Sequence, residues 1–268
     1  MEKIPITEEE LRYFLRKFKD DECIYLNNLD VSNIKNMSRL FQGCRNLHTL
    51  ILSDWDVSNV ENMFGMFADC NRLEKLEISA WSTSKVRNMS AMFINCRKLK
   101  EIKISNWDVS NVEQMTSMFN NCRELEHLDL SGWNTSNLEI TLNMFNGCCK
   151  LKELNLSSWD TSKFYNMFNM FLNCHDLTKL NISNWNMSNI QYERINSSTF
   201  ENCNSLTEII CPNKEFADYL VEAIHFDRSI IRYTSNSDAQ QFSELKADYV
   251  ELYKQYMKLR DYIIQSVN

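Results

Sequence analysis

Glycine and proline are scarce: 4 and 2 in 268 residues. A Gly-rich phosphate cradle therefore has almost no material to be built from. No run approaches the roughly 20 apolar residues needed to cross a bilayer, so membrane insertion is not expected. A basic excess is missing too. Lys and Arg total 29 against 36 acidic residues, a net charge of -7, which argues against non-specific binding to nucleic acid or anionic lipid. The start, MEKIPITEEELRYFLRKF, puts carboxylates where an export signal needs a plain apolar core. A cytoplasmic location is the expectation, or the cell surface if the N-terminus is truncated. Only four histidines occur, and His48 and His127 fall three repeats apart, roughly 14 Å at the ordinary strand spacing. No base and nucleophile come together, so the expectation is a protein that is not an enzyme and carries no cofactor. What remains, 44% apolar and 24% charged, is a globular composition.

Repeats fill that composition. The six tryptophans stand at Trp55, Trp81, Trp107, Trp133, Trp159 and Trp185, every step 26 residues. Cys44, Cys70, Cys96, Cys122, Cys148 and Cys174 keep the same step, then Cys203 follows after a three-residue insertion. Phe41, Phe67, Phe93, Phe119, Phe145, Phe171 and Phe200 do likewise. A period in the range of 20–50 residues is the signature of a solenoid, in which each unit buries its apolar face only against its neighbours.

One unit reads LEKLEISAWSTSKVRNMSAMFINCRK from Leu73. Its first part, L-x-x-L-x-[IL]-S, alternates apolar positions at period two and predicts a short parallel strand. In the second part Val60, Met63, Met66, Phe67 and Cys70 fall at helical spacing, which predicts a short helix. Asp56, Ser58 and Asn59 would cap it, with Glu61 closing a capping box. About seven coils at ~4.8 Å would make a rod roughly 30–35 Å long. Residues 1–21 are expected to form an N-terminal helical cap with Leu11, Phe14, Leu15 and Phe18 on one side. Residues 22–211 hold the repeats, 212–233 a C-terminal cap around KEFADYLVEAIHF, and 234–268 an amphipathic helix.

The pattern L-x-x-L-x-[IL]-S-x-W-[DNS]-[VTM]-S-[NK], then N-M-x-x-M-F-x-x-C, resembles the BspA-like leucine-rich repeat, the 26-residue surface-protein repeat of bacterial lipoproteins and adhesins. The resemblance covers roughly 22–211 and is densest at 56–70 and 108–122. It implies an α/β leucine-rich-repeat solenoid: a right-handed superhelix, parallel strands on one face and short helices on the other, with a binding or adhesive role.

Each column has a plain structural reading beside a functional one. The tryptophans could stack sugars, but a column as regular as the leucines fits an internal ladder. The cysteines show no paired C-x-x-C spacing, so zinc is not expected, and buried free thiols explain them. Asp30, Asp56, Ser82, Asp108, Asn134, Asp160 and Asn186 are too interrupted for calcium and fit caps or Asx-turns. The serines at 53, 79, 105, 131, 157 and 183 can bond turn backbone of a neighbouring coil.

Function is sought where the strand is free to vary. One column reads Thr49, Lys75, Glu101, His127, Glu153 and Lys179; the next reads Ile51, Glu77, Lys103, Asp129, Asn155 and Asn181. Lys75, Glu77, Glu101, Lys103, His127, Asp129, Glu153 and Lys179 are the candidate binding residues, their mixed charge suiting a protein partner over nucleic acid. A grid of merely solvated strand residues explains the same pattern. A family-type cell-surface adhesin and a glycan-binding module are the alternative functions. At the C-terminus, Phe242, Leu245, Tyr249, Leu252, Tyr256, Leu259 and Ile263 follow 3-4 heptad spacing. That helix has three options: docking on this chain's own end, self-association, or a foreign helix.

Overall fold

The computed structural model describes residues 3–164, 166–189, 195 and 197–234. The fold is mixed α/β, with short parallel strands and few helices. In chain order these are β1 (Ile4–Pro5), α1 (Glu8–Lys17), β2 (Leu29–Asp30), β3 (Thr49–Ile51), β4 (Lys75–Glu77), β5 (Glu153–Asn155), β6 (Lys179–Asn181), β7 (Glu208–Cys211), α2 (Lys214–Glu222) and β8 (Ile231–Tyr233). The expected C-terminal helix lies outside the described residues.

The 26-residue period becomes register. Thr49 pairs with Lys75, Leu50 with Leu76 and Ile51 with Glu77; Glu153, Leu154 and Asn155 pair with Lys179, Leu180 and Asn181. After the insertion Lys179 pairs with Glu208. Each coil therefore lies on the one before, and identical residue types fall in columns. The strand ladder is interrupted, however. β3–β4 form one two-stranded sheet and β5–β6–β7–β8 another sheet, joined through coils where single bridges such as Glu101–His127 remain. Beneath the gap Ile102 and Leu128 stay buried, so apolar packing continues where the ladder thins.

The second leg of the unit is not the helix its spacing predicts. Met63, Gly65, Phe67 and Asp69 donate their N–H groups to Asn88, Ser90, Met92 and Ile94 of the next coil, at 2.8–3.0 Å. Met66, Ala68 and Cys70 bond three residues back, to Met63, Gly65 and Phe67. A helix needs every N–H for its own i−4 carbonyl; here alternate donors are spent between coils. The turns require left-handed residues. Arg39, Gly65, Ala91, Ser117, Asn143 and Asn169 form one column, with φ from 54° to 58°. Gly43, Asp69, Asn95, Asn121, Gly147, Asn173 and Asn202 form the other. Asparagine tolerates this region better than most residues. Its side chains add a ladder of their own, Asn95 Nδ2 to Asp69 Oδ1 at 2.8 Å and Asn121 Nδ2 to Asn95 Oδ1 at 3.2 Å. Part of the asparagine richness is thus a backbone requirement.

With no helix there is no Ser58–Glu61 capping box. Asp56 accepts from the Ser58 N–H at 3.0 Å in an Asx-turn, and Glu61 reaches Lys35 of the preceding coil at 3.5 Å.

Inside, the columns are ladders. Phenylalanine rings from Phe41 to Phe200 stack at 5.4–5.8 Å. All six tryptophans are buried, 1–3% exposed, and each indole N–H donates to a carbonyl of the preceding coil, as Trp81 does to Leu52 at 2.9 Å. This resolves the sugar-platform alternative: the ring faces are inside. The thiols of Cys70, Cys96, Cys122, Cys148, Cys174 and Cys203 each donate to a phenylalanine carbonyl one coil back, at 3.0–3.2 Å. All the cysteines are free.

Two α-helices flank the repeats in sequence. Thr7 and Glu10 make a reciprocal capping box at the start of α1, which buries Leu11 and Leu15 and leaves Phe14 at 36% exposure. α2 starts at Asn213, whose side chain accepts from the Phe216 N–H, and buries Phe216, Ala217 and Leu220. It ends at Glu222, and Ala223 beyond it is exposed.

Candidate interaction face

Each strand segment presents three outward positions around one buried residue. Leu76, Ile102, Leu128 and Leu154 point inward, 2–8% exposed. The side chains on either side face solvent because the pleat alternates. The expected residues Lys75, Glu101, His127, Glu153 and Lys179 do form one column, and Glu77, Lys103 and Asp129 the adjacent one. A third column escaped the sequence reading: Glu74, Lys100, Glu126 and Lys152. The first x of L-x-x-L marks it. Glu74, Lys100 and Glu126 border, together with the two other columns, an open depression of about 480 Å³ running from Thr49 to His127. A smaller, more apolar hollow of about 240 Å³ adjoins it at Cys23, Tyr25 and Ile51, where Tyr25 is 88% exposed.

Sign alternates from coil to coil. The three columns read Glu-Lys-Glu at 74, 75 and 77, Lys-Glu-Lys at 100, 101 and 103, and Glu-His-Asp at 126, 127 and 129. Alternation avoids like charges one strand apart. Two ion pairs form on this face, Lys179–Glu153 at 3.0 Å and Lys75–Glu77 at 3.7 Å. Glu153 raises the Lys179 pKa by hydrogen bonding and charge. Lys100, Glu101, Lys103, Glu126 and His127 enter no ion pair or side-chain hydrogen bond among the described residues. Asp129 is held by its own turn. Its carboxylate accepts from the Ser131 hydroxyl at 2.7 Å and N–H at 3.0 Å, and both bonds lower its pKa. Ser157 donates its hydroxyl and N–H to the Asn155 side-chain oxygen in the same way, so these two serines bond within their own turn instead of across coils.

Among the described residues no three His, Cys, Asp or Glu side chains cluster as a metal site, and no helix is long and apolar enough to cross a membrane. The heptad positions Tyr249, Leu252, Tyr256, Leu259 and Ile263 lie outside the described residues.

A coil of fixed length, stacked in register with inward Trp, Phe and Cys ladders and a variable outer face, defines a repeat protein. The chain belongs to the family described as "Mycoplasma protein of unknown function, DUF285", whose model matches residues 10–128 and 121–217. No curated protein matches it. Several solved structures bear a distant likeness, among them the following three. The TLR13–ssRNA13 complex is 15% identical over 76% of this chain at a TM-score of 0.29, and this chain spans 36% of that one. A complex of Latrophilin 3, Unc5D and FLRT2 (LRR) is 14% identical over 80% of this chain and 85% of that one, at 0.29. A leucine-rich cell surface protein from Faecalibacterium prausnitzii A2-165 is 12% identical over 67% of this chain and 76% of that one, at 0.19.

Proposed function

We propose that the chain is a non-catalytic scaffold, a right-handed leucine-rich-repeat solenoid of the BspA-like type, that holds a protein partner on its strand face. The observation carrying this is the row of charges at 100, 101, 103, 126 and 127, all exposed except the half-buried Glu126 and none in an ion pair among the described residues, fixed over a continuous apolar core. Side chains on a rigid backbone lose less freedom on binding than side chains on loops. Mixed charge gives specificity and orientation more than raw affinity. In this reading α1 and α2 are the end caps, and the protein works in the cytoplasm.

The test is affinity capture with the full chain and with a Lys75→Glu, Glu101→Lys, Lys179→Glu variant. The three positions are exposed, so the variant is expected to fold, checked by circular dichroism. Partners captured by the parent and lost by the variant are the expected result. An unchanged set of partners sinks the reading.

A further inference from the structure

The strand face is self-complementary, and we propose that its partner is a second copy of this chain, docked face to face about a two-fold axis. This rests on the strand-face reading above and names its occupant. Place the axis along the strand direction, midway between the coil segments at 100–103 and 126–129, which the Glu101–His127 bridge joins. Residue columns are then preserved, and each coil meets the coil equally far on the other side of the axis in the facing copy. Lys100 stands opposite Glu126, Glu101 opposite His127, and Lys103 opposite Asp129. One coil further out, Glu74 meets Lys152 and Lys75 meets Glu153. A two-fold interface repeats every pair, as isologous contacts must. From the strand at 48–51 to the strand at 178–181 no like charges meet.

Alternation by itself is explained within one chain, because neighbouring coils repel less when their signs differ. That explanation accounts for Lys179–Glu153, which does form. It leaves the centre of the face unused: Lys100, Glu101, Lys103, Glu126 and His127 find no ionic partner in their own chain among the described residues. These five lie closest to the proposed axis. The depression of about 480 Å³ over the same coils leaves room for long lysine and glutamate side chains to extend towards a facing copy. Six stacked coils at the ordinary strand spacing and three residue columns span roughly 29 Å by about 10 Å, a small interface. The dimer should therefore be weak, quick to exchange and disrupted by salt.

The experiment is sedimentation of the full chain, into the high-micromolar range, at low salt and at about 0.5 M salt. Two variants accompany it. One carries Lys100→Glu and Glu101→Lys, with no change in net charge; the other carries Glu126→Lys and His127→Glu. Both leave the Asp129–Ser131 turn intact. Each variant alone sets like charges across the axis. Mixed together, every pair becomes complementary again. The expected result is a salt-sensitive dimer for the parent, at least tenfold weaker association for each variant alone, and recovery in the mixture. Recovery cannot come from folding within one chain, so it separates docking from a structural role. A parent that stays monomeric, or a dimer that both variants leave unchanged, overturns the proposal. If the parent is monomeric but the Lys100→Glu, Glu101→Lys variant loses captured proteins, the strand-face reading stands and only the second copy is excluded. If capture is also unchanged, both fail.

Discussion

The cysteine ladder should make this protein unusually sensitive to mild alkali. Burial pushes Cys44 up to about 11 and raises Cys70, Cys96, Cys122 and Cys148 further above the ordinary thiol range. Cys174 is raised by hydrogen bonding with the Cys203 thiol and then by burial. Unfolded thiols ionise near ~8.5. Between that value and the folded values the native chain binds more protons than the unfolded one, so stability falls as pH rises. Each thiol held protonated contributes a loss of ~1.4 kcal/mol per pH unit above about 8.5. Cys211 is pushed up to about 11 as well, so for the stack unfolding as one unit seven thiols together make about 10 kcal/mol by pH ~9.5, the size of a typical domain's entire stability. The measurement is urea unfolding followed by tryptophan fluorescence, under reductant, in half-unit pH steps from neutrality. A Cys96→Ala variant should start less stable and lose about one seventh of the pH slope. Stability that stays level up to pH ~9.5, or a slope indifferent to removing a thiol, would refute the reasoning.

Three further outcomes follow from the columns. Gly147→Ala should destabilise by about 1–2 kcal/mol, because its φ is +74° and a Cβ would sit 2.7 Å from Asn121 Oδ1; an unchanged urea midpoint would contradict the left-handed column. Trp133→Phe removes the indole donor to Ile104, at 2.9 Å, and part of the stack on Trp159, and should cost about 2–4 kcal/mol in equilibrium unfolding. Hydrogen bonds from serine hold the carboxyls of Asp30, Asp56 and Asp129 below their ordinary range. Their contribution is complete above the unfolded value near ~3.9 and is lost as pH falls through the lower folded values, so Asp56→Asn should flatten the acid limb of a stability–pH curve.

The candidate face was legible in part. Lys75, Glu101, His127 and Lys179 share a column because the repeat length is constant, and length is written in the sequence. Glu74, Lys100 and Glu126 were missed because L-x-x-L leaves two variable positions and only one was followed outward. Which charges find partners could not be read at all. Lys179 pairs with Glu153 while Lys100 forms no ion pair among the described residues, a matter of rotamers and local backbone.

Period alone determined the stacking: once 26 residues make one coil, Trp, Phe and Cys must meet their own kind in the next coil, and apolar columns must face inward. The conformation of the second leg was decided only by tertiary structure. Val60, Met63, Met66, Phe67 and Cys70 have helical spacing, yet the segment runs through turns whose left-handed residues are Gly65 and Asp69. Apolar spacing says which side chains are buried; it says nothing of where the N–H groups go. Here the neighbouring coil offers carbonyls at 2.8–3.0 Å to every second donor, and a helix cannot form on the donors that remain.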